Sequence, residues 1–191
     1  MMDQFDDADF MQHGMLKNSV NNMIAAMAAK HFGYTGAALV IQAACASSLV
    51  AAHQACQALR MGECKAAIVG GVELLHSPTL YALFSKAGVL SPTGLCRPFT
   101  HGADGFVPGE AAVALVLKPM SAAKADGDFI YASILGSAIG SDGVSFGAMA
   151  PNPNGQITVM KQANTQANIN PHSVTLIETH GTGTPIGDMV E

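Results

Sequence analysis

Gln42-Ala43-Ala44-Cys45-Ala46-Ser47-Ser48-Leu49 joins two patterns of different period, and that junction decides the fold. On its N-terminal side, Ala37 to Gln42 is a short apolar run with Val40 and Ile41, which reads as a buried strand. On its C-terminal side, Ala46 to Met61 is Ala-rich and reads as a helix stopped by Gly62. A buried strand running directly into a helix is the building unit of α/β proteins. Here a cysteine stands at the join.

Working outward, Val20, Met23, Ile24, Met27 and His31 recur at helical spacing within Leu16 to Phe32, and Gly33 stops that helix. Residues 1 to 15 are acidic and Met-rich without a clear period, and read as a loop or a segment cut off from its context. Beyond the junction, Ala66 to Val72 is a second buried strand, followed by a helix near Thr79 to Lys86. A long loop dense in Gly, Pro and Ser runs from Gly88 to Gly109. Ala111 to Lys118 reads as a strand, Ser121 to Ala125 as the opening of a short helix, and Phe129 to Ile139 as a longer strand. A Gly-rich loop then leads to a helix over Gly155 to Asn168, a last strand over Val174 to Glu178, and the Gly-rich end His180 to Gly187. Alternating strands and helices, with strands apolar throughout, predict an α/β layered fold whose sheets are covered on both faces.

With 191 residues the chain suits one domain with a proper core. Hydrophobic residues make up 49% and charged residues only 12%, against an average of roughly a quarter. So few charges imply a large buried fraction, subunit contacts, or missing parts of the fold that cover apolar faces. The net charge of -5, with no cluster of Lys or Arg, argues against nucleic acid and anionic membrane surfaces. The stretch Gly36 to Ala52 is interrupted by Gln42, Ser47 and Ser48 and is too short to span a bilayer. The first residues, Met-Met-Asp-Gln-Phe-Asp-Asp, are acidic where a signal peptide is basic. Cys45, Cys56, Cys64 and Cys96 contain no Cys-x-x-Cys pair and read as reduced thiols, which places the protein in the cytoplasm.

Cys45 has two readings of similar weight from its position alone. The first amides of a helix lack internal partners and the helix dipole adds partial positive charge, so a thiol there is placed to act as a thiolate nucleophile. The same amides are placed to stabilise a thioester oxyanion, and Ala43, Ala44, Ala46 and Ser47 leave room for a substrate. Equally, a free cysteine is often only a small buried hydrophobe. The second candidate is His180, in Glu178-Thr179-His180-Gly181-Thr182-Gly183-Thr184-Pro185-Ile186-Gly187-Asp188, just past a predicted strand end, where α/β sheets place functional groups. Alone, this is also compatible with a Gly-rich turn carrying an incidental histidine. The Lys-Ser/Thr of a phosphate loop is missing, and no Cys/His pair has the close spacing of a structural zinc site. The remaining histidines lie at element ends, in loops or, for His53, on the helix after Cys45. The other cysteines read as structural or surface thiols, and the eleven methionines as core filler.

Taken together and in order, these runs resemble the ketoacyl synthases. Ala44-Cys45-Ala46-Ser47-Ser48-Leu49 looks like that family's nucleophile motif, and Gly70-Gly71-Val72 its following strand and turn. Ser91-Pro92-Thr93-Gly94, Arg97-Pro98-Phe99 and Ala103-Asp104-Gly105-Phe106-Val107-Pro108-Gly109-Glu110 match its long middle loop. Gly136-Ser137-Ala138, Asp142-Gly143 and Ala150-Pro151-Asn152 match a later loop, and His180-Gly181-Thr182-Gly183-Thr184 with Gly187-Asp188 the first histidine motif. The phrasing is closer to modular or polyunsaturated-fatty-acid-type polyketide synthases than to small stand-alone enzymes. Departures are Gln42 and Ala43 in place of an acidic residue and Thr, Ala46 for Ser, Thr100 for Asp and Met189 for Pro.

The resemblance implies a thiolase-like layered α-β-α-β-α fold and a homodimer, with residues 1–191 as a partial ketosynthase domain whose start and C-terminal part lie outside the sequence. It implies that Cys45 takes an acyl group from an acyl carrier protein bearing phosphopantetheine thioesters, or from coenzyme A. His180 would stabilise the enolate of a decarboxylated malonyl-type extender, with no cofactor or metal, in fatty-acid or polyketide assembly. A second catalytic histidine would lie downstream, so the 191 residues alone are expected to lack condensation activity. Rival readings are a thiolase-type acyltransferase, which would not carry the His180 run, and a non-catalytic chain-length partner, which would replace Cys45.

Overall fold

The computed structural model describes residues 22–144 and 150–191. Its elements are α1 (Met23–Phe32), α2 (Ser47–Met61), β1 (Ala67–Glu73), α3 (Pro78–Lys86), β2 (Ala111–Leu117), α4 (Met120–Asp126), α5 (Pro153–Ala167), a 3-10 turn (Pro171–Ser173) and α6 (Pro185–Val190). Two compact units form. One gathers the described residues up to Val69 with Leu115–Ala122, and the other Gly70–Ala114 with Ala123–Glu191.

Helix boundaries follow local chemistry. Gly33 and Gly62 close α1 and α2 in the left-handed conformation, at φ 69° and 75°, and their N–H groups donate back into the last turn. Four later starts share one device, a hydroxyl or amide cap followed by proline. Ser77 accepts from Thr79 N–H before α3, Asn152 from Asn154 N–H before α5, Asn170 from His172 N–H before the 3-10 turn, and Thr184 from Gly187 N–H before α6. Each cap satisfies one of the unpaired first-turn donors, and proline at the first helical position loses nothing by having none. Helix α2 begins differently: its N-cap is Ala46, with no side-chain cap.

The expected helices form, within a few residues of the predicted bounds. The part of the first prediction before Asn22 lies outside the described residues, as does the reading of residues 1 to 15 as a loop. Of the five expected strands, β1 and β2 form and pair as a two-stranded sheet. Ala37 to Gln42, Phe129 to Ile139 and Val174 to Glu178 are not strands. A strand requires a neighbouring strand in a ladder, and among the described residues the ladder is formed by β1 and β2. Nor is the sheet covered on both faces: every residue of β2 but Leu117 is exposed. Tyr131 is 92% exposed and Leu176 81%. The buried hydrophobics among the described residues are Cys56, Val69 and Ala123.

In the second unit the irregular segments are nonetheless tied down. A Cβ at Gly136 would collide with Ala163 O and lie 2.7 Å from Ala167 N, so only glycine lets that backbone approach α5 so closely, and Ser137 N–H donates to Gln166 Oε1 at 2.7 Å. The loop after α3 is folded back on itself by Phe106 N–H donating to Val89 O at 3.0 Å and Ser91 N–H to Phe106 O at 3.0 Å. Phe84 and Phe106 pack edge to face with ring centroids 5.3 Å apart.

Candidate active site

Cys45 stands in the first unit, exposed, just ahead of the Ala46 cap of α2. The backbone reaches it through a tight double turn. Ala46 N–H donates to Ala43 O and Ser47 N–H to Ala44 O, both at 3.1 Å. Between them Ala44 adopts φ 49°, the left-handed region, in which a residue with a Cβ is strained by about 1–2 kcal/mol. The Ser47 hydroxyl binds both flanks of Ala44: Oγ accepts from Ala43 N–H at 2.8 Å and donates to Ala44 O at 2.7 Å. The amides of Ala46 and Ser47 are therefore engaged by the turn itself.

His180 stands in the second unit, exposed, in a loop held by two carboxylates, one on the last helix and one at its C-terminal cap. Glu191 accepts from His180 N–H at 2.7 Å and from Gly181 N–H at 2.9 Å, one oxygen each. Asp188 accepts from Gly183 N–H at 3.0 Å and from Phe99 N–H at 2.6 Å. Asp188 therefore ties the histidine loop to the loop after α3, where Phe99 is itself at φ 58°. A further tie is Gly105 N–H to Gly183 O at 2.9 Å. At Gly105, φ is 132° and a Cβ would lie 2.6 Å from the backbone of Val89, Leu90 and Ser91, so only glycine fits. Cys96, also exposed, lies with its Sγ 3.9 Å from Gly181 O.

Behind that contact is a polar knot. Asp104 accepts from Ser91 Oγ at 2.6 Å, Thr93 Oγ1 at 2.8 Å and Arg97 Nη2 at 3.2 Å. The Ser91 and Thr93 hydroxyls hold the Asp104 carboxyl below its ordinary value of 3.8 against an opposing effect of desolvation, with the Arg97 guanidinium adding to the lowering. Among the described residues, no three His, Cys, Asp or Glu side chains are gathered as a metal would require.

Residues 2–123 match the family described as Beta-ketoacyl synthase, N-terminal domain, and residues 131–191 match Beta-ketoacyl synthase, C-terminal domain. The chain belongs to the beta-ketoacyl synthases. It is 50% identical over 156 residues to a phenolphthiocerol/phthiocerol polyketide synthase of Mycobacterium tuberculosis, covering 82% of this chain and 8% of that protein. It is 44% identical to polyketide synthase PksL of Bacillus subtilis over 88% of this chain and 4% of the relative. Among solved structures, the ketosynthase from module 6 of the bacillaene synthase of Bacillus subtilis 168 aligns with a TM-score of 0.86 at 44% identity, over 88% of this chain and 30% of that one. The oxazolomycin ketosynthase domain KS7 from Streptomyces albus aligns at 0.88 and 37% identity, over 94% and 32%. The fold is thus the thiolase-like α/β fold of ketosynthase domains, in part. The chain spans less than a tenth of these polyketide synthases and about a third of the solved ketosynthases.

Within this family assignment, three groups that organise the two motifs escaped the sequence reading. Ser47 was legible only as a small neighbour, although a serine two residues after the cysteine, beside an Ala that cannot cap, is a usable signal. Asp188 and Glu191 lie three apart at the end of the chain, the spacing that puts two side chains on one helix face.

Proposed function

We propose that the protein is a polyketide-type ketosynthase in which Cys45 carries the growing acyl chain and His180 stabilises the extender enolate. The observation that carries this reading is the exposed Cys45, presented on a strained turn at the head of a helix, in a chain of this family. A nucleophile on a strained turn at a helix head has little around it to obstruct an approaching carbonyl.

In the first step the Cys45 sulfur attacks an acyl thioester. A carbon–sulfur bond to Cys45 forms, the bond to the donor thiol breaks, and the donor sulfur takes the proton that Cys45 gave up. In the second step a malonyl-type thioester loses CO2, and the electron pair left on carbon attacks the Cys45 thioester. A carbon–carbon bond forms, the bond to Cys45 breaks, and the Cys45 thiolate is reprotonated. The imidazole of His180 hydrogen-bonds the extender's thioester oxygen as charge accumulates there. The acyl donor and extender are carried by an acyl carrier protein on phosphopantetheine, the enzyme acts as a homodimer in the cytoplasm, and no cofactor takes part. No described helix is long and apolar enough to cross a membrane.

The test is mass mapping of the full-length protein after exposure to a short acyl thioester. Label is expected on Cys45 alone, not on Cys56, Cys64 or Cys96, and Cys45→Ala should abolish it. His180→Ala should keep acylation and lose condensation by about 100-fold or more. Label spread over all four cysteines, or retained in Cys45→Ala, sinks the reading.

A further inference from the structure

Helix α2, like α1, lacks the side-chain cap of the later helices. The other capped helices place a hydroxyl or amide one residue before the helix and spend it on a first-turn N–H. Helix α2 has Ala46 at that position and a serine one residue inside. The hydroxyl of Ser47 points backward, accepting from Ala43 N–H at 2.8 Å and donating to Ala44 O at 2.7 Å. Those two groups flank Ala44, whose φ of 49° is the strained point of the turn. Exposed Ala44 has no packing to hold it there, so restraint must come from hydrogen bonds. Two are backbone turns, and the described side-chain bonds at this turn both belong to Ser47.

We infer that Ser47 is a positioning residue for the acyl-transfer step: its hydroxyl clamps the left-handed turn at Ala44 and so fixes where the Cys45 sulfur points. The inference rests on the reading of Cys45 as nucleophile. A hydroxyl serving as donor and acceptor at once cannot be replaced by a group of the same shape that lacks it. Both backbone groups then exchange the clamp for solvent, and the turn is free to relax toward φ below zero. The sulfur stays chemically intact, but the fraction of time it spends aimed at the substrate falls. Such a loss appears in the rate at saturating donor and not in donor affinity.

The experiment compares Ser47→Thr with Ser47→Val, two side chains of one shape that differ in the hydroxyl, and Ser47→Ala, in the full-length protein. The acylation rate of Cys45 by a short acyl thioester is followed by intact mass over a range of donor concentrations. Ser47→Val and Ser47→Ala should lower the saturating rate about tenfold with the half-saturating concentration within about twofold of wild type. Ser47→Thr should restore most of the rate. Equal rates for Thr and Val variants overturn the inference while leaving the nucleophile reading intact. Collapse of both hydroxyl-free variants to unfolded chains, seen by circular dichroism, overturns it too, because the hydroxyl then holds the helix and not the turn. If wild-type Cys45 takes no acyl group, the nucleophile reading fails first and the role of Ser47 falls with it.

Discussion

The two motifs of this chain are held in opposite ways. The cysteine turn depends on its own neighbours: every described hydrogen bond at Ala43 to Ser47 reaches no further than four residues, and a single neutral hydroxyl supplies the side-chain part. The histidine loop is held from a distance in sequence. Glu191 reaches back eleven residues to His180, Asp188 spans 89 to Phe99, and Gly183 accepts from Gly105. A locally built turn is set by its own few bonds, independently of the rest of the unit. A loop braced by two carboxylates and a neighbouring loop moves only if several bonds break together. This suits the chemistry proposed for each, a sulfur that is loaded and unloaded, and an imidazole that must meet a charge developing at one place.

The largest expected effect breaks the bracing. Asp188→Ala removes the acceptor for two backbone donors at once, and one of them belongs to Phe99, whose φ of 58° has that bond as compensation. Charge-assisted bonds to buried or half-buried donors are worth about 1.5–3 kcal/mol each, discounted here because the Phe99 bond is exposed. A loss of about 3 kcal/mol in urea denaturation is expected, with Asp188→Asn, which keeps one acceptor oxygen, losing about half as much. A cost below about 0.5 kcal/mol for the alanine would show that the bracing is no stiffer than a surface contact, and the contrast between the regions would disappear.

The contrast also explains what could be read in advance. Part of the local chemistry was legible: the glycine stops at Gly33 and Gly62 and the cysteine at a helix start act within a few residues, whereas the cap-proline pairs Ser77-Pro78 and Asn152-Pro153 open their helices one and two residues ahead of the starts expected at Thr79 and Gly155. The strands were legible only where a neighbour exists. Ala111 to Leu117 and Phe129 to Ile139 are both largely apolar, yet among the described residues one joins a ladder with β1 and the other is not a strand. No periodicity encodes whether a partner is present. The site shows the same divide: Cys45 and His180 stood out as motifs, whereas the dependence of His180 on Glu191, and of Gly183 on Gly105, are tertiary facts.

A smaller effect sharpens the comparison through acid. Asp104 is the charged centre of the loop that braces the histidine motif, and its carboxyl lies below 3.8 because Ser91 and Thr93 donate to it and Arg97 stands beside it. With a folded value lower than the unfolded one, its contribution is complete above pH 3.8 and is lost as pH falls through the depressed folded value. Stability of wild type and Asp104→Asn, measured by denaturation from pH 6 downward, should differ most near neutrality and converge in acid. Parallel curves would mean that the carboxylate charge does nothing for this loop. The cysteine turn has no ionisable group among its described hydrogen bonds, so Cys45 presentation should not follow this limb.

The smallest net effect is expected at the strained residue itself, and its sign matters more than its size. Ala44→Gly removes the Cβ that makes φ 49° unfavourable, a relief of about 1–2 kcal/mol. Against this, glycine gives the unfolded chain more freedom, which costs about 0.4–1 kcal/mol. Ala44 is exposed, so no packing is lost. The balance is a gain of about 0.5–1 kcal/mol, read as a small rise in urea midpoint. The same glycine loosens the turn in both directions, so acylation of Cys45 should slow by a few fold even as the protein becomes more stable. Those opposite signs separate a turn that stores strain to aim a sulfur from one that is merely tolerated. If stability and acylation rate rise together, Ala44 was only a poor residue for its place, and the local build of the cysteine turn is economy without function.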